Sequence, residues 1–411
     1  MAHILKRVFN SLQIITSSTA PKGTGLKSLA KGIVASTALV ALAACDAVPT
    51  GGGQGPRVNT SKAVTVGLLV PSGSGVEQQN FLADSLTKAA QLAVAEMPGV
   101  KIDLRIYSTA GNANQAAAVA QKAADEGAKI LVGPLFAQAA NAAGTAVAAR
   151  GINVLSFSNN ADIAGGNVFV LGDTFNNTAE RVVGYAASQG RKSFGALVRA
   201  DAAGNVAAAA IERAAKNSGA SYVGAARYEL TSESVVASVS AAKSLITQTG
   251  ATALVMDADA AGALPVFAQL LPENGITSAS TQLLGLARWD KSSAQVLASE
   301  ALQNSLFAMG DTNATASFTQ KYKNAYGSNP HLLAGKAYDG VRAVGVLLQT
   351  GRSDALTRAK LTRANGFSGA NGVFRLRADG TTQRGLAVAT VREGKVVILD
   401  PAPRGFGGAG F

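Results

Sequence analysis

The chain has 411 residues, with 37 Lys plus Arg, 25 Asp plus Glu, one Cys and two His. This length suits two or three folded units, and 47% hydrophobic against 15% charged residues excludes disorder as the general state. A single Cys excludes an internal disulfide framework and any Cys-rich zinc module, and two His leave little from which to build a His triad or multi-His metal site.

Residues 1–44 carry Lys6, Arg7, Lys22, Lys27 and Lys31, no acidic residue, and an uncharged apolar run over 32–44. That run is too short to cross a ~30 Å hydrocarbon core, which takes about 20 helical residues. It predicts a secretory signal peptide that ends just before Cys45. Leu42-Ala43-Ala44-Cys45 resembles the lipobox of bacterial lipoproteins, which implies a lipid on Cys45 and a protein held to the cell envelope in the periplasm. Asp46 leaves the choice of inner or outer membrane open. Removing 1–44 lowers the net charge from +12 to +7 over 367 residues. The remaining basic residues are dispersed, so nucleic acid is not an expected partner.

Residues 45–62 contain Gly51-Gly52-Gly53, Pro49 and Pro56 and read as a flexible tether. An α/β rhythm follows. Strands are expected at 63–70, 101–107, 129–132 and 153–157, with helices at 76–96, 112–126 and 138–150 between them. After a turn-rich stretch at 165–177 a second series begins. It has helices at 178–188, 206–218, 234–249 and 261–271, and strands at 194–198, 222–228, 253–256 and 282–286. Such alternation predicts an α/β protein with two doubly wound parallel-sheet lobes and ligands beyond the carboxyl ends of the strands. The segment 372–399 alternates instead, with Asp379-Gly380 and Glu393-Gly394 at tight turns, and reads as antiparallel strands.

Motifs for catalysis are missing. Gly73 and Gly75 lack the third glycine of a dinucleotide fingerprint, there is no phosphate-binding P-loop, and Gly366-Phe367-Ser368-Gly369-Ala370 falls short of a nucleophile elbow. His331 sits in a Ser-Asn-Pro-His turn and reads as a surface residue. Asp257 and Asp259 at a strand end could bind a ligand ammonium or a metal, or cap the next helix. Trp289 could stack on a ligand or anchor packing. No cofactor and no enzymatic activity are expected.

Val132-Gly133-Pro134-Leu135-Phe136 and the run from Gly151 to Ser158 resemble the first lobe of leucine/isoleucine/valine-binding proteins. So do Phe318, Tyr322 and Tyr326-Gly327, followed by Ala337-Tyr338-Asp339-Gly340-Val341. The resemblance spans 63–400 and implies the type I periplasmic-binding fold, with three crossovers near 171–175, 310–313 and 363–367. Lobe one is then 63–172 plus 312–364, lobe two 173–311 plus 365–400, and 401–411 a tail. In amino-acid receptors of that family, Ser and Thr groups hold the ligand carboxylate; they fall here on Ala137 and Asn160. The closing aromatic falls on Ala203 and the acid for the ammonium on Ala287, so the ordinary amino-acid pocket is expected to be dismantled.

Leu284-Gly285-Leu286-Ala287-Arg288-Trp289-Asp290, Gly372-Val373-Phe374-Arg375 and Asp400-Pro401-Ala402-Pro403-Arg404 are similar to stretches of alphaproteobacterial penicillin-binding protein activators. That resemblance implies a non-catalytic lipoprotein that regulates peptidoglycan synthesis by contacting a bifunctional synthase. The alternative is the substrate-binding subunit of an ABC transporter, serving a permease and a small solute such as an amino acid or muropeptide. Under either reading the cleft residues are Ser72, Ser74, Phe136, Gln138, Ser156, Ser158 and Asn159 of lobe one, with Asp257 and Trp289 of lobe two. Each would bond or stack on a ligand, or else cap a helix or fill the gap between lobes.

Overall fold

The runs 130–132, 168–170, 253–256 and 306–309 are apolar along their whole length, as strands covered by helices on both faces must be. The computed structural model describes residues 55–407, all within one unit, Gly52–Phe411. The signal peptide, Cys45 and most of the expected tether lie outside the described residues. The tether's end does not hang free: Val58 is 6% exposed within the core, and its N–H donates to Ser353 O at 2.9 Å. One apolar side chain with a cavity to fill outweighs the flanking Gly and Pro.

Lobe one is built on β1 (Val64–Val70), β2 (Ile102–Ser108), β3 (Ile130–Val132), β4 (Asn153–Ser156) and β5 (Val168–Val170). They form a parallel sheet in the order β2-β1-β3-β4-β5. Strand β5 lies inside the stretch read as turn-rich; its three apolar residues are too few to show a period, and pairing with β4 holds them. The connecting helices are α1 (Glu77–Ala95), α2 (Ala113–Asp125) and α3 (Ala137–Val147).

After β5 the chain crosses at 171–174 into lobe two. There α4 (Phe175–Ser188), α5 (Ala202–Asn217), α6 (Ser232–Thr249), α7 (Leu264–Glu273) and α8 (Ala294–Leu297) alternate with β6 (Ser193–Arg199), β7 (Ser221–Tyr228), β8 (Ala253–Met256), β9 (Gln282–Gly285) and β10 (Leu306–Met309). A second crossing at 310–311 returns the chain to lobe one as α9 (Thr312–Tyr326), α10 (Ala334–Leu348) and α11 (Arg358–Leu361). Phe318, Tyr322 and Val341 of these helices share a core with Leu68 and Leu86.

The antiparallel segment divides between two sheets. Strands β11 (Phe367–Gly369), β12 (Gly372–Leu376) and β13 (Thr382–Arg384) make a small sheet of their own. Strands β14 (Ala387–Arg392) and β15 (Lys395–Asp400) extend the lobe-two sheet, whose order is β15-β14-β10-β9-β8-β6-β7. The third crossing therefore falls near 385–386 and not at 363–367. The reason is burial: Phe367, Phe374 and Leu376 pack into the lobe-one core and keep the small sheet there. Each face of each large sheet has its own apolar cluster, so the result is an α/β protein of two parallel-sheet lobes joined by three crossovers.

Candidate functional site

The carboxyl ends of β3 and β4 open into a cavity of ≈ 410 Å³. That volume lies within the range that holds small ligands. Gly133 (φ 91) turns the chain out of β3, and a Cβ there would strike Leu69 O. The turn delivers Phe136 to the N-terminus of α3, where its side chain gives no capping hydrogen bond. First-turn N–H groups have no partners within a helix, and those of α3 border the cavity at Ala137. Leu135, Phe136, Phe157 and Leu333 supply the apolar wall; Ser158, Asn159 and Asn160 supply polar groups.

The charged edge comes from Asp173 in the first crossover and Lys336 in α10. Lys336 Nζ donates to Asp173 Oδ1 at 2.7 Å. Arg384 Nε lies 3.0 Å from the same oxygen, but its N–H is not aimed at it, so that contact is electrostatic. Arg384 is otherwise fully engaged, with Nη1 on Asp339 Oδ2 at 2.8 Å and Nη2 on Leu171 O at 2.7 Å. Burial by itself raises the Asp173 carboxyl, but Lys336 and then Arg384 outweigh it and hold it at about 2. Burial, reinforced by the charge of Arg384, pushes Lys336 down. Asp173 and Arg288 of lobe two also feel each other's charge across the cleft.

The expected site residues divide sharply. Phe136, Ser158 and Asn159 line the cavity. Ser72, Ser74, Gln138 and Ser156 do not. Ser72 pairs with Ser108 at 2.6 Å, and Ser74 Oγ accepts from Val76 N at 3.2 Å. Gln138 is exposed on α3, while Ser156 is buried and donates to Pro134 O at 2.9 Å.

Asp257 and Trp289 also stay out of the cavity. The Asp257 side chain is fully buried, with Oδ1 accepting from Tyr228 OH at 2.8 Å and Oδ2 from Arg199 N at 3.1 Å. Burial keeps its carboxyl above the usual range. Asp259 Oδ1 accepts from Ala261 N at 3.0 Å and Gly262 N at 2.6 Å in the turn before α7, whose own N-cap is Ala263, so it holds the turn and does not cap the helix. Trp289 is 0% exposed, lies against Gly285, and donates through Nε1 to Ala258 O at 2.9 Å. Any Cβ at Gly285 would enter its indole ring.

A cavity at the strand ends of one parallel-sheet lobe, beside the first crossover to the other, is a binding architecture, and comparison with known proteins agrees. Residues 63–395 match the family described as periplasmic binding protein. The chain belongs to that family. Membership implies a periplasmic location.

No curated protein sequence matches significantly. Solved structures share the fold. One is a branched-chain amino acid ABC transporter periplasmic ligand-binding protein from Burkholderia xenovorans, with TM-score 0.66 and 18% identity over 82% of this chain and 96% of that one. Another is an ABC transporter substrate-binding protein from Desulfitobacterium hafniense in complex with Leu, with TM-score 0.60 and 19% identity over 82% and 100%. A third is a solute-binding protein of an ABC transporter from Rhodopseudomonas palustris in complex with 3,4-dihydroxybenzoic acid, with TM-score 0.56 and 18% identity over 83% and 98%. The two bound solutes differ in chemistry, so the shared fold does not by itself name a ligand.

In this periplasmic binding protein, sequence reasoning missed Asp173 and Lys336. Lys336 and Asp339, three residues apart within the largely apolar helix α10, were the available signal. Charges on a buried helix face need partners from elsewhere, and only the tertiary structure shows that Asp173 and Arg384 supply them.

Proposed function

We propose that this protein captures a small solute in the cavity at the carboxyl end of lobe one and presents it to an ABC permease. The observation that carries this reading is the cavity itself. It joins an apolar wall, a helix start that no side chain caps and a charged pair, the mixture that orients a small molecule. Every lining residue belongs to lobe one or the first crossover, which leaves lobe two to close over a bound solute. The descriptions of the structural relatives support the same reading. The role is one of binding without catalysis.

The synthase-regulator reading is not supported by the family or by these relatives. Part of the stretch that suggested it also has a packing explanation: Leu284 and Trp289 are core residues, and Arg288 is clamped to Asp290 at 2.6 and 2.7 Å. Attachment through a lipid on Cys45 belongs to the proposal too, with either membrane open. Palmitate labelling of the intact chain and of Cys45→Ser tests it.

Thermal unfolding against amino acids, aromatic carboxylates and muropeptides tests the main reading. A solute at a hundred times its Kd adds about 2.7 kcal/mol of stability, so a true ligand gives a clear upward shift. If no solute shifts the protein while a peptidoglycan synthase is retained on it, the transport reading falls.

A further inference from the structure

A second cavity, of ≈ 370 Å³, shares no lining residue with the one at the strand ends of lobe one. It lies where the third crossing leaves the small sheet. Helix α4 and Asp400 of β15 wall it from lobe two, and Gln383 and Arg384 of β13 wall it from the small sheet. Its volume suits one small molecule.

Each charged group in that wall already has a counter-ion. Arg181 Nη2 bonds Asp400 Oδ2 at 2.6 Å, Arg377 Nη2 bonds Glu180 Oε2 at 3.2 Å, and Arg384 Nη1 bonds Asp339 Oδ2 at 2.8 Å. A solute with a net charge would have to break an ion pair to find a partner. What the wall leaves unspent is hydrogen-bonding capacity of both kinds. Asn177 is 6% exposed, and its Oδ1 accepts from Arg384 N at 2.8 Å, which fixes the way its amide faces. Its Nδ2 is buried with no acceptor among the described residues. Gln383 Oε1 accepts from Arg375 Nε at 2.8 Å, which leaves Nε2 to donate. On the acceptor side, Glu180 and Asp400 each pair through one oxygen and retain the other.

A buried amide donor without an acceptor is uncommon in a folded protein and calls for a partner from outside. The complement of two unspent donors and two unspent acceptors, with no unpaired charge, is the hydroxyl group, which donates one hydrogen bond and accepts others. Tyr185 adds an aromatic ring to the same wall. The electron-rich face of such a ring attracts the C–H groups of a pyranose and leaves its hydroxyls to the polar groups.

We propose that this cavity is a second binding site, for a neutral sugar of monosaccharide size. The assignment does not depend on which solute lobe one takes, because the two walls are separate.

The test titrates the protein by calorimetry with D-glucose, D-galactose and N-acetyl-D-glucosamine. D-Glucuronate, D-galacturonate and protonated D-glucosamine serve as their charged counterparts. At least one neutral sugar should bind, and at least ~10-fold more tightly than its charged counterpart, the scale of one hydrogen-bonded charge displaced. Asn177→Asp keeps the acceptor for Arg384 N but removes the donor, and should weaken that sugar roughly 10-fold. Gln383→Ala and Tyr185→Ala should each weaken it roughly 3–10-fold, and they keep the test sharp if Asn177→Asp fails to fold. Failure of all three neutral sugars to bind, equal or tighter binding of the charged forms, or an affinity that every substitution leaves unchanged overturns the proposal. The last of these results would place the sugar outside this cavity.

Discussion

The two lobes share an architecture but treat the carboxyl ends of their strands in opposite ways. In lobe two the groups there are consumed internally. Asp201 caps α5 through Gly204 N at 2.9 Å, Thr231 caps α6, Asp257 is locked to Tyr228 and Arg199, and Trp289 is sunk in the core. In lobe one, α3 begins at Phe136 and α10 at Leu333, both at the cavity wall and neither with a capping side chain, whereas Asn112, outside that wall, caps α2; in lobe two α7 also begins uncapped, at Ala263. Such caps are worth about 1 kcal/mol each, and lobe one forgoes them on the side where the cavity opens. Helix starts without a side-chain cap therefore coincide with the cavity wall of lobe one.

The comparison can be broken from the structural side first. Trp289→Ala should cost about 3–5 kcal/mol in denaturant unfolding, as for a fully buried aromatic, and leave solute preference unchanged. A large change in preference with little loss of stability would return Trp289 to the cleft. Arg384→Met should cost on a similar scale, about 3–5 kcal/mol, because it strands the buried carboxylate of Asp339.

Giving lobe one a lobe-two feature is the sharper test. Phe136→Asp should cap α3 and add about 1 kcal/mol of stability, yet weaken solute binding by removing an aromatic wall and placing a carboxylate at the helix start. If stability and affinity rise together, the uncapped helix is not part of the site. The smallest effect concerns pH. The Asp173 carboxyl sits at about 2, below its ordinary 3.8, so its contribution is present above pH 4 and lost as pH falls towards 2. It is half-exposed, so the contribution should stay within about 1 kcal/mol. The stability gap between wild type and Asp173→Asn should close over that window; a gap that widens would refute the ion pairing.

The sequence alone determined the periodic part of this protein. Apolar runs such as 253–256 and amphipathic segments such as 112–126 specify strand and helix locally, and their alternation dictates parallel sheets. Turn pairs such as Glu393-Gly394 likewise specify a hairpin from neighbouring residues. What the tertiary structure decided depends on contacts between distant residues. Phe367 and Phe374 pull a small sheet onto lobe one and move the third crossing. Asp257 and Trp289, placed like ligand residues at strand ends, are taken by Tyr228, Arg199 and the lobe-two core. Asp173, unremarkable in a turn-rich stretch, becomes the accessible acid of the cavity because Lys336 and Arg384, 163 and 211 residues further along the chain, converge on one of its oxygens. Local patterns fix which element forms; long-range pairing fixes which polar group is left exposed at the cavity wall.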